Sequence, residues 1–385
     1  MVRSARQCGI TGPVGQHSQF SVDLHAVGVY HHAIQGLGNS EGKVRLAAGR
    51  WPSDHDYCSG QHQPFRLRAG AGKSADSMDD VLTLIADPAS AALDNSMTAA
   101  AISALAAQGA VLGEADWLAP NIACDIPFSD LSRNDGFAGA QAVVRSALGQ
   151  AHVDIVVQST KGRRKALLVA DMESTIIRNE MLDELAELIG ERERVAAITA
   201  AAMNAEIDFV TALTQRVSLL VGLPFAAIES AAERIVLSSG ARTLVATMRA
   251  HGAHTVLVSG GFSVFTRRVA EAVGFDDEVA NALEVVDGKL TGKVCEPILG
   301  AAGKLNALQR IIKSRGLTLA DTLAVGDGAN DMPMLEAAGM GVAYHAKPAV
   351  AKRARIRIDH GDLRALLYIQ GYSDTDLVDP EARST

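Results

Sequence analysis

The chain has 385 residues, room for two or three domains, and its 48% hydrophobic and 21% charged residues provide a sizeable core. Thirty-six Lys and Arg against 44 Asp and Glu leave a net charge of −8, which argues against a nucleic-acid partner, since phosphate contacts need a basic face. The longest apolar candidate, the Ala-rich stretch from Thr98 to Leu112, is broken by Ser103 and Gln108 and falls short of the roughly 18–20 residues a membrane span requires. Cys8, Cys58, Cys124 and Cys295 lie far apart with no C-x-x-C pair, which excludes a zinc ribbon or disulfide scaffold and fits a cytoplasmic location.

Residues 1–77 hold 6 of the 11 histidines and carry 8 basic against 5 acidic residues, so the net charge is +3 here and −11 in the remainder. No apolar period of 2 or 3.6 persists, and this segment reads as a disordered extension. Its first 22 residues lack acids and include Arg3 and Arg6, a faint echo of a transit peptide, but no apolar h-region follows. Ordered patterning begins at Val81, which makes Met78 an alternative start.

Residues 78–160 alternate regularly. Strands are predicted at Val81–Ala86, around Ile122–Pro127 and at His152–Gln158, with helices at Met97–Ala107 and about Gly139–Leu148. The β-α-β-β-α-β arithmetic suits a small ferredoxin-like α+β domain. It contains no catalytic cluster and reads as a structural or dimerising element ahead of a ligand sensor, so a homodimer is one expected assembly.

From 164 to 372 strands alternate with helices. Ala166–Ala170 ends in an acid, Thr255–Val258 ends in Ser259, and Thr322–Val325 ends in Gly326-Asp327. Such continuous apolar runs mark parallel strands buried on both faces, and right-handed crossovers build them into a doubly wound α/β sheet. Ligands sit off the carboxyl ends of such strands, where all three polar clusters fall. The helical stretch of about 179–250 exceeds one crossover and predicts a separate helical cap. Asp287-Gly288 between Leu283–Val286 and Lys289–Val294 signals a hairpin. Residues 373–385 read as a flexible tail.

The chemistry starts at Asp171-Met172-Glu173-Ser174-Thr175. Acids at i and i+2 on an extended segment face one way, so both carboxylates point into one pocket. Gly326-Asp327-Gly328-Ala329-Asn330-Asp331 brings two more carboxylates across a Gly-rich turn. Beside Asp171 this negative density needs a counter-charge, and oxygen-only ligands with few protein contributions suit Mg²⁺. Ser259-Gly260-Gly261 offers a hydroxyl and backbone N–H groups to an anion, and Lys304 adds a point charge suited to phosphate. Alone, the first is a common turn and the second a solvated side chain; their weight comes from the company they keep. A P-loop is excluded because Leu67 and Ile298 stand where G-x-x-x-x-G-K-[ST] needs glycine.

These motifs resemble the haloacid-dehalogenase-like hydrolases, and within them the phosphoserine phosphatase branch, over about 164–365. Asp-x-Glu-Ser-Thr matches the first motif, Ser259-Gly260 the second, Lys304 the third and Gly-Asp-Gly-x-Asn-Asp the fourth. The module at 78–160 looks like the amino-acid-binding-type domain that precedes the enzyme in bacterial versions. The resemblance implies that Asp171 attacks phosphorus to give an aspartyl-phosphate. It implies Mg²⁺ on the Asp171 carboxylate, the Glu173 carbonyl and Asp327, with Asp331 ligating directly or through water. Ser259, the Gly260 N–H and Lys304 would stabilise the phosphoryl oxygens, and Asn330 would touch the phosphate region. Residue 173 would protonate the leaving oxygen and then activate water.

Glu180 matches the acid that pairs with a substrate amine, Arg216 the arginine that takes its carboxylate, and Met203 and Phe209 the apolar lid. Phe209, Leu213, Arg216 and Leu220 also fall on one helix stripe, where an arginine needs a partner such as a bidentate carboxylate or else snorkels at a helix edge. The implied substrate is a small molecule carrying phosphate, ammonium and carboxylate, namely O-phosphoserine, hydrolysed to serine. Other readings are the same chemistry on another small phosphomonoester, phosphoryl transfer to an alcohol such as homoserine, and a non-catalytic amino-acid sensor. One departure stands out: the family's first motif is usually Asp-x-Asp, and position 173 is Glu. The longer side chain moves the acid/base oxygen by roughly a bond length, and a misplacement of ~1 Å can cost ~10²-fold in rate.

Overall fold

The computed structural model describes residues 78–131, 136–203 and 206–380. The expected extension at 1–77 lies outside these residues. The N-terminal elements are β1 (Asp80–Ala86), α1 (Asn95–Ala107), β2 (Val111–Leu112), β3 (Asp116–Ala119), β4 (Ala123–Ser129), α2 (Gly136–Leu148) and β5 (Val153–Ser159). Asp94 starts α1 by accepting the N–H groups of Ser96 and Met97, an ordinary N-cap. The sheet runs β2-β4-β1-β5, with β3 also on β4, and β1 is antiparallel to both neighbours. This is the expected ferredoxin-like arrangement. Strands β2 and β3, with two and four residues, are too short to show in the pattern.

Strand alternation splits the side chains of this sheet between two cores. Leu82, Leu84 and Ala86 pack with Leu105 and Val144 under the helices. Ile85, Ala123 and Val156 face the other way and join the core of the second sheet.

That second sheet follows: β6 (Leu167–Ala170), α3 (Met181–Leu188), α4 (Arg192–Met203), α5 (Phe209–Ser218), α6 (Phe225–Ala232), α7 (Ala241–Ala250), β7 (His254–Phe262), α8 (Ser263–Val273), β8 (Asp277–Asn281), β9 (Leu283–Val286), β10 (Lys289–Val294), α9 (Ala301–Arg315), β11 (Thr322–Gly326), α10 (Met332–Ala337), β12 (Met340–Tyr344), α11 (Pro348–Ala351), β13 (Ile356–Ile358) and α12 (Ala365–Tyr368). Its order is β13-β12-β11-β6-β7-β8, and every paired neighbour is parallel. Leu167 and Val169 bury against Leu308 and Leu335 on one face, while Leu168 and Ala170 bury with Leu244 and Phe265 on the other. This is the two-sided burial that the unbroken apolar runs require.

Helices α3–α6 stand between β6 and β7 as the cap. Helix α7, which the expected cap boundary at 250 would include, packs against β7 and α8 as the crossover, because Leu244, Val245 and Met248 belong to the sheet's own core. The hairpin β9-β10 forms at Asp287-Gly288, both residues having positive φ. The first part of the expected flexible tail is tied down: the Tyr368 hydroxyl donates to Asp374, and the Val378 N–H donates to Thr247.

Candidate active site

Strands β6, β7 and β11 are neighbours at the centre of the sheet, so their carboxyl ends deliver the three polar clusters to one place. Asp171 leaves β6 in extended conformation at φ −69 and ψ 157, and Met172–Ile176 follow as an irregular turn in which Glu173 stays extended at φ −70 and ψ 139 and Ser174 is left-handed at φ 54. Carboxylate oxygens of Asp171, Asp327 and Asp331 lie within 4.8 Å of one another, and all three residues are buried. Lys304 is fully buried and donates to Asp171 Oδ1 at 2.5 Å and Asp331 Oδ1 at 2.6 Å. Asp331 Oδ2 accepts the Gly328 N–H at 3.0 Å. The glycine before Asp327 is a steric necessity, since a Cβ on Gly326 would lie 2.5 Å from Asp331 Cγ and 2.7 Å from Asp331 Cβ; a Cβ on Gly328 would lie 2.4 Å from Asn330 Oδ1. The last distance also fixes the place of Asn330, folded back over this turn.

Three carboxylates therefore face one buried ammonium. A second ammonium, Lys347 beyond β12, reaches Asp327 Oδ2 at 3.3 Å from a half-exposed position. Burial, then the charge of Asp331, holds the Asp171 carboxyl well above its ordinary range despite Lys304. Burial also raises Asp327. Burial alone would lower the Lys304 amine, but Asp171 and Asp331 outweigh it and raise it. The surplus of negative charge fits a hard divalent cation held by carboxylate oxygens.

At the end of β7, Ser259 Oγ accepts the Gly261 N–H at 2.9 Å, which leaves the hydroxyl proton free to donate. A Cβ on Gly261 would sit 3.0 Å from Glu173 Oε2 and 3.1 Å from Ser259 Oγ, so the Glu173 carboxylate and the Ser259 hydroxyl pack closely on the bare glycine backbone. Glu173 Oε1 accepts the Met181 N–H at 2.8 Å, at the first turn of α3. Burial, followed by the like charge of Glu180, pushes Glu173 up to about 8.

Glu180 itself is exposed and accepts from the Ser174 hydroxyl at 2.8 Å, Ser174 being held at φ 54. Arg216, on α5, is lowered by burial, and the acids acting on it are Glu173, Asp183 and Glu180 in that order. Its Nε donates to Ala212 O at 3.3 Å. Phe209, at the start of α5, lies over both Gly260 and Gly300, where a Cβ would meet its ring at 3.3 Å and 3.1 Å. Met203 ends α4, and its side chain lies outside the described residues.

The structure thus brings Asp171 and Asp331 into contact with Lys304 and sets an Asp327 oxygen within 4.8 Å of theirs. It gathers Glu173, Ser259 and Gly261 beside them and places Glu180 and Arg216 in the field of Glu173. Two residues at the site were missed in the sequence. Lys347 follows a fourth buried strand whose end had not been read as part of the edge. Asn281 closes β8, and a polar residue after Val279-Ala280 was its only signal.

Residues 168–336 match the family profile described as haloacid dehalogenase-like hydrolase. The phosphoserine phosphatase of Methanocaldococcus jannaschii is 40% identical over 205 residues, covering 53% of this chain and 97% of the relative. That of Mycobacterium tuberculosis is 40% identical over 233 residues, which is 60% of this chain and 57% of the relative. This chain therefore spans only a little more than half the length of the mycobacterial relative. Among solved structures, a probable phosphoserine phosphatase from Vibrio cholerae superposes with a TM-score of 0.64 at 27% identity, covering 81% of this chain and 91% of that one. A phosphoserine phosphatase solved as a phospho-aspartyl intermediate analogue superposes with a TM-score of 0.51 at 40% identity, covering 53% and 98%.

Proposed function

This chain belongs to the haloacid dehalogenase-like hydrolases, and on that footing we propose that it hydrolyses O-phosphoserine to serine and phosphate with Mg²⁺ as its cation. The observation that carries the reading is Asp171 held against Lys304 between two further buried carboxylates, with Glu180 and Arg216 on the cap side of the same site.

Bound among Asp171, Asp327 and Asp331, with the Glu173 carbonyl, Mg²⁺ would supply positive charge toward the phosphoryl oxygens. The other steps belong to the chain's own groups. One Asp171 oxygen attacks phosphorus in line, its bond to phosphorus forms, and the ester oxygen departs with the electron pair. Glu173 gives that oxygen its proton, for which a carboxyl raised toward neutrality is suited. Glu173 then takes a proton from the water that cleaves the aspartyl-phosphate. Lys304, the Ser259 hydroxyl and the Gly260 N–H face the charge that develops on the phosphoryl oxygens, and Asn330 borders the same region. Glu180 accepts from the substrate ammonium, and Arg216 pairs with its carboxylate. Phe209 shields the reaction from water.

In the same reading, residues 78–160 and 164–372 are the two domains and the cap is an insertion in the second. The ferredoxin-like sheet serves structural or dimerising ends.

The test is phosphate release from a panel of phosphomonoesters with Mg²⁺, using Asp171→Asn as control. Release from phosphoserine above all others is the expected result, and activity that survives Asp171→Asn overturns it. A fluoroberyllate adduct on Asp171 in a crystal would establish the nucleophile directly.

A further inference from the structure

The β7-β8 ladder contains an irregularity at the phosphate-binding loop. Ser259 pairs with Ala280 and Phe262 with Asn281, so three steps along β7 match one step along β8. Gly260 and Gly261 are the residues looped out. A bulge of this kind frees backbone groups to point at a ligand, but it also removes the ladder bonds that would fix them, and an unpaired buried carbonyl is costly.

Asn281 makes up the loss. Its Nδ2 donates to Gly260 O at 2.8 Å and to Leu299 O at 3.2 Å, and its Oδ1 accepts the Leu299 N–H at 2.6 Å. The residue is 2% exposed, and both amide protons and one of the two lone pairs of the carbonyl oxygen are used. Leu299 immediately precedes Gly300, the N-cap of α9, and Lys304 lies in the first turn of that helix, its N–H donating to Gly300 O at 3.0 Å. One buried amide therefore ties the Ser259–Gly261 loop to the segment that launches Lys304. The two glycines it brackets, Gly260 and Gly300, are the pair that Phe209 covers.

We propose that Asn281 is a positioning residue for phosphoryl binding: it holds the Gly260 backbone and the start of α9 in one frame, so that the Gly260 N–H and the Lys304 ammonium meet the same phosphoryl group. This rests on the function proposed above. Only Asn serves here, because the site needs donors for two carbonyls and an acceptor for one N–H on a short side chain. Aspartate keeps the acceptor and loses both donors, and it sets a carboxylate against two carbonyl oxygens. Leucine fills the volume and makes none of the bonds.

The test titrates inorganic phosphate into the Mg²⁺-loaded protein by calorimetry, for the parent, Asn281→Asp and Asn281→Leu. It also measures kcat/KM on phosphoserine and on p-nitrophenyl phosphate. Both variants are expected to lose phosphate affinity by about tenfold or more, since sub-ångström misplacement of binding groups is enough for that. Their kcat/KM should fall by similar factors on the two esters, because only the shared phosphoryl group is affected, and the preference between esters should stay at the parent's value. A merely structural asparagine would lower the melting temperature and leave phosphate affinity and kcat/KM on both esters at the parent's values. A folded variant with parental phosphate affinity and parental kcat/KM on both esters overturns the proposal. If Asn281→Leu does not fold, the isosteric Asn281→Asp decides. A parent that binds phosphate but spares phosphoserine removes the proposed substrate and leaves this test standing; a parent that binds no phosphate removes the positioning role.

Discussion

Glu173 shows how much one methylene can matter. Its carboxylate reaches both the Gly261 loop and the Met181 N–H, contacts in which the longer side chain is accommodated by the absence of a Cβ at 261. Glu173→Asp should retain turnover, and Glu173→Ala should lose about 10²–10⁴-fold in kcat; equal rates for Glu173→Ala and the parent would remove the proton role. The direction of the pH dependence follows from the raised carboxyl. A proton donor works only while protonated, so kcat/KM on an alkyl phosphomonoester lacking amine and carboxylate should fall as pH rises through the Glu173 pKa. Glu180→Gln removes a like charge that raises this pKa, and should therefore move the alkaline limb to lower pH. A limb that stays in place or moves up assigns the titration to another group. Elsewhere, the Cys124 thiol is buried, and burial followed by Asp125 and Asp116 pushes it up to about 12. Alkylation at pH 8, followed peptide by peptide, should leave Cys124 unmodified in the folded protein and label it fully in urea.

At the scale of elements, the N-terminal sheet is fastened to the parallel one by two buried carboxylates. Asp125 on β4 takes a two-pronged bond from Arg163, with contacts of 2.6 and 3.1 Å. The same guanidinium donates to Ile369 O and Tyr368 O at the end of α12. The pair is 7% and 12% exposed, so breaking one side leaves a buried charge. Arg163→Met alone should cost about 3–5 kcal/mol, and the double variant Arg163→Met with Asp125→Leu should recover most of it, as read by denaturant unfolding. Asp154 on β5 accepts the N–H groups of Asp359, His360 and Gly361, the loop after β13, while His152 stacks on His360 at 5.1 Å. Asp154→Ala strands these donors and should lower stability by about 1–3 kcal/mol.

For the whole molecule, the face of the N-terminal sheet away from its own helices is not free. Ile85, Leu118, Ala119, Ala123 and Val156 share a core with Leu366, Leu367, Tyr368 and Ile369. A protein beginning at residue 164 should expose this apolar surface, with a lower melting temperature than the 78–385 protein and a concentration-dependent growth in particle size beyond that protein's own, measurable by light scattering. An equally stable monomeric fragment would show that the contact contributes nothing. No described helix is long and apolar enough to cross a membrane. The N-terminal sheet lies against β13 and α12, and the loop after β13 reaches the cap hinge through Asp362, which accepts from Ser239.

What the sequence determined by itself was local and periodic. Unbroken apolar runs ending in Asp171, Ser259 and Asp327 require strands buried on both faces, and the parallel topology then sends their ends to one edge. Asp287-Gly288 similarly dictates its hairpin. Tertiary structure decided what depends on distant partners. Lys304 is an ordinary lysine in sequence and becomes a fully buried ammonium only because two aspartates from β6 and the turn after β11 converge on it. Asn281 matters only because β7 bulges beside it, and α7 joins the sheet rather than the cap because its apolar stripe finds β7. Pattern fixes which face of an element is buried; which neighbour buries it is set by packing across more than a hundred residues of chain, as between Lys304 and Asp171, which are 133 apart in sequence.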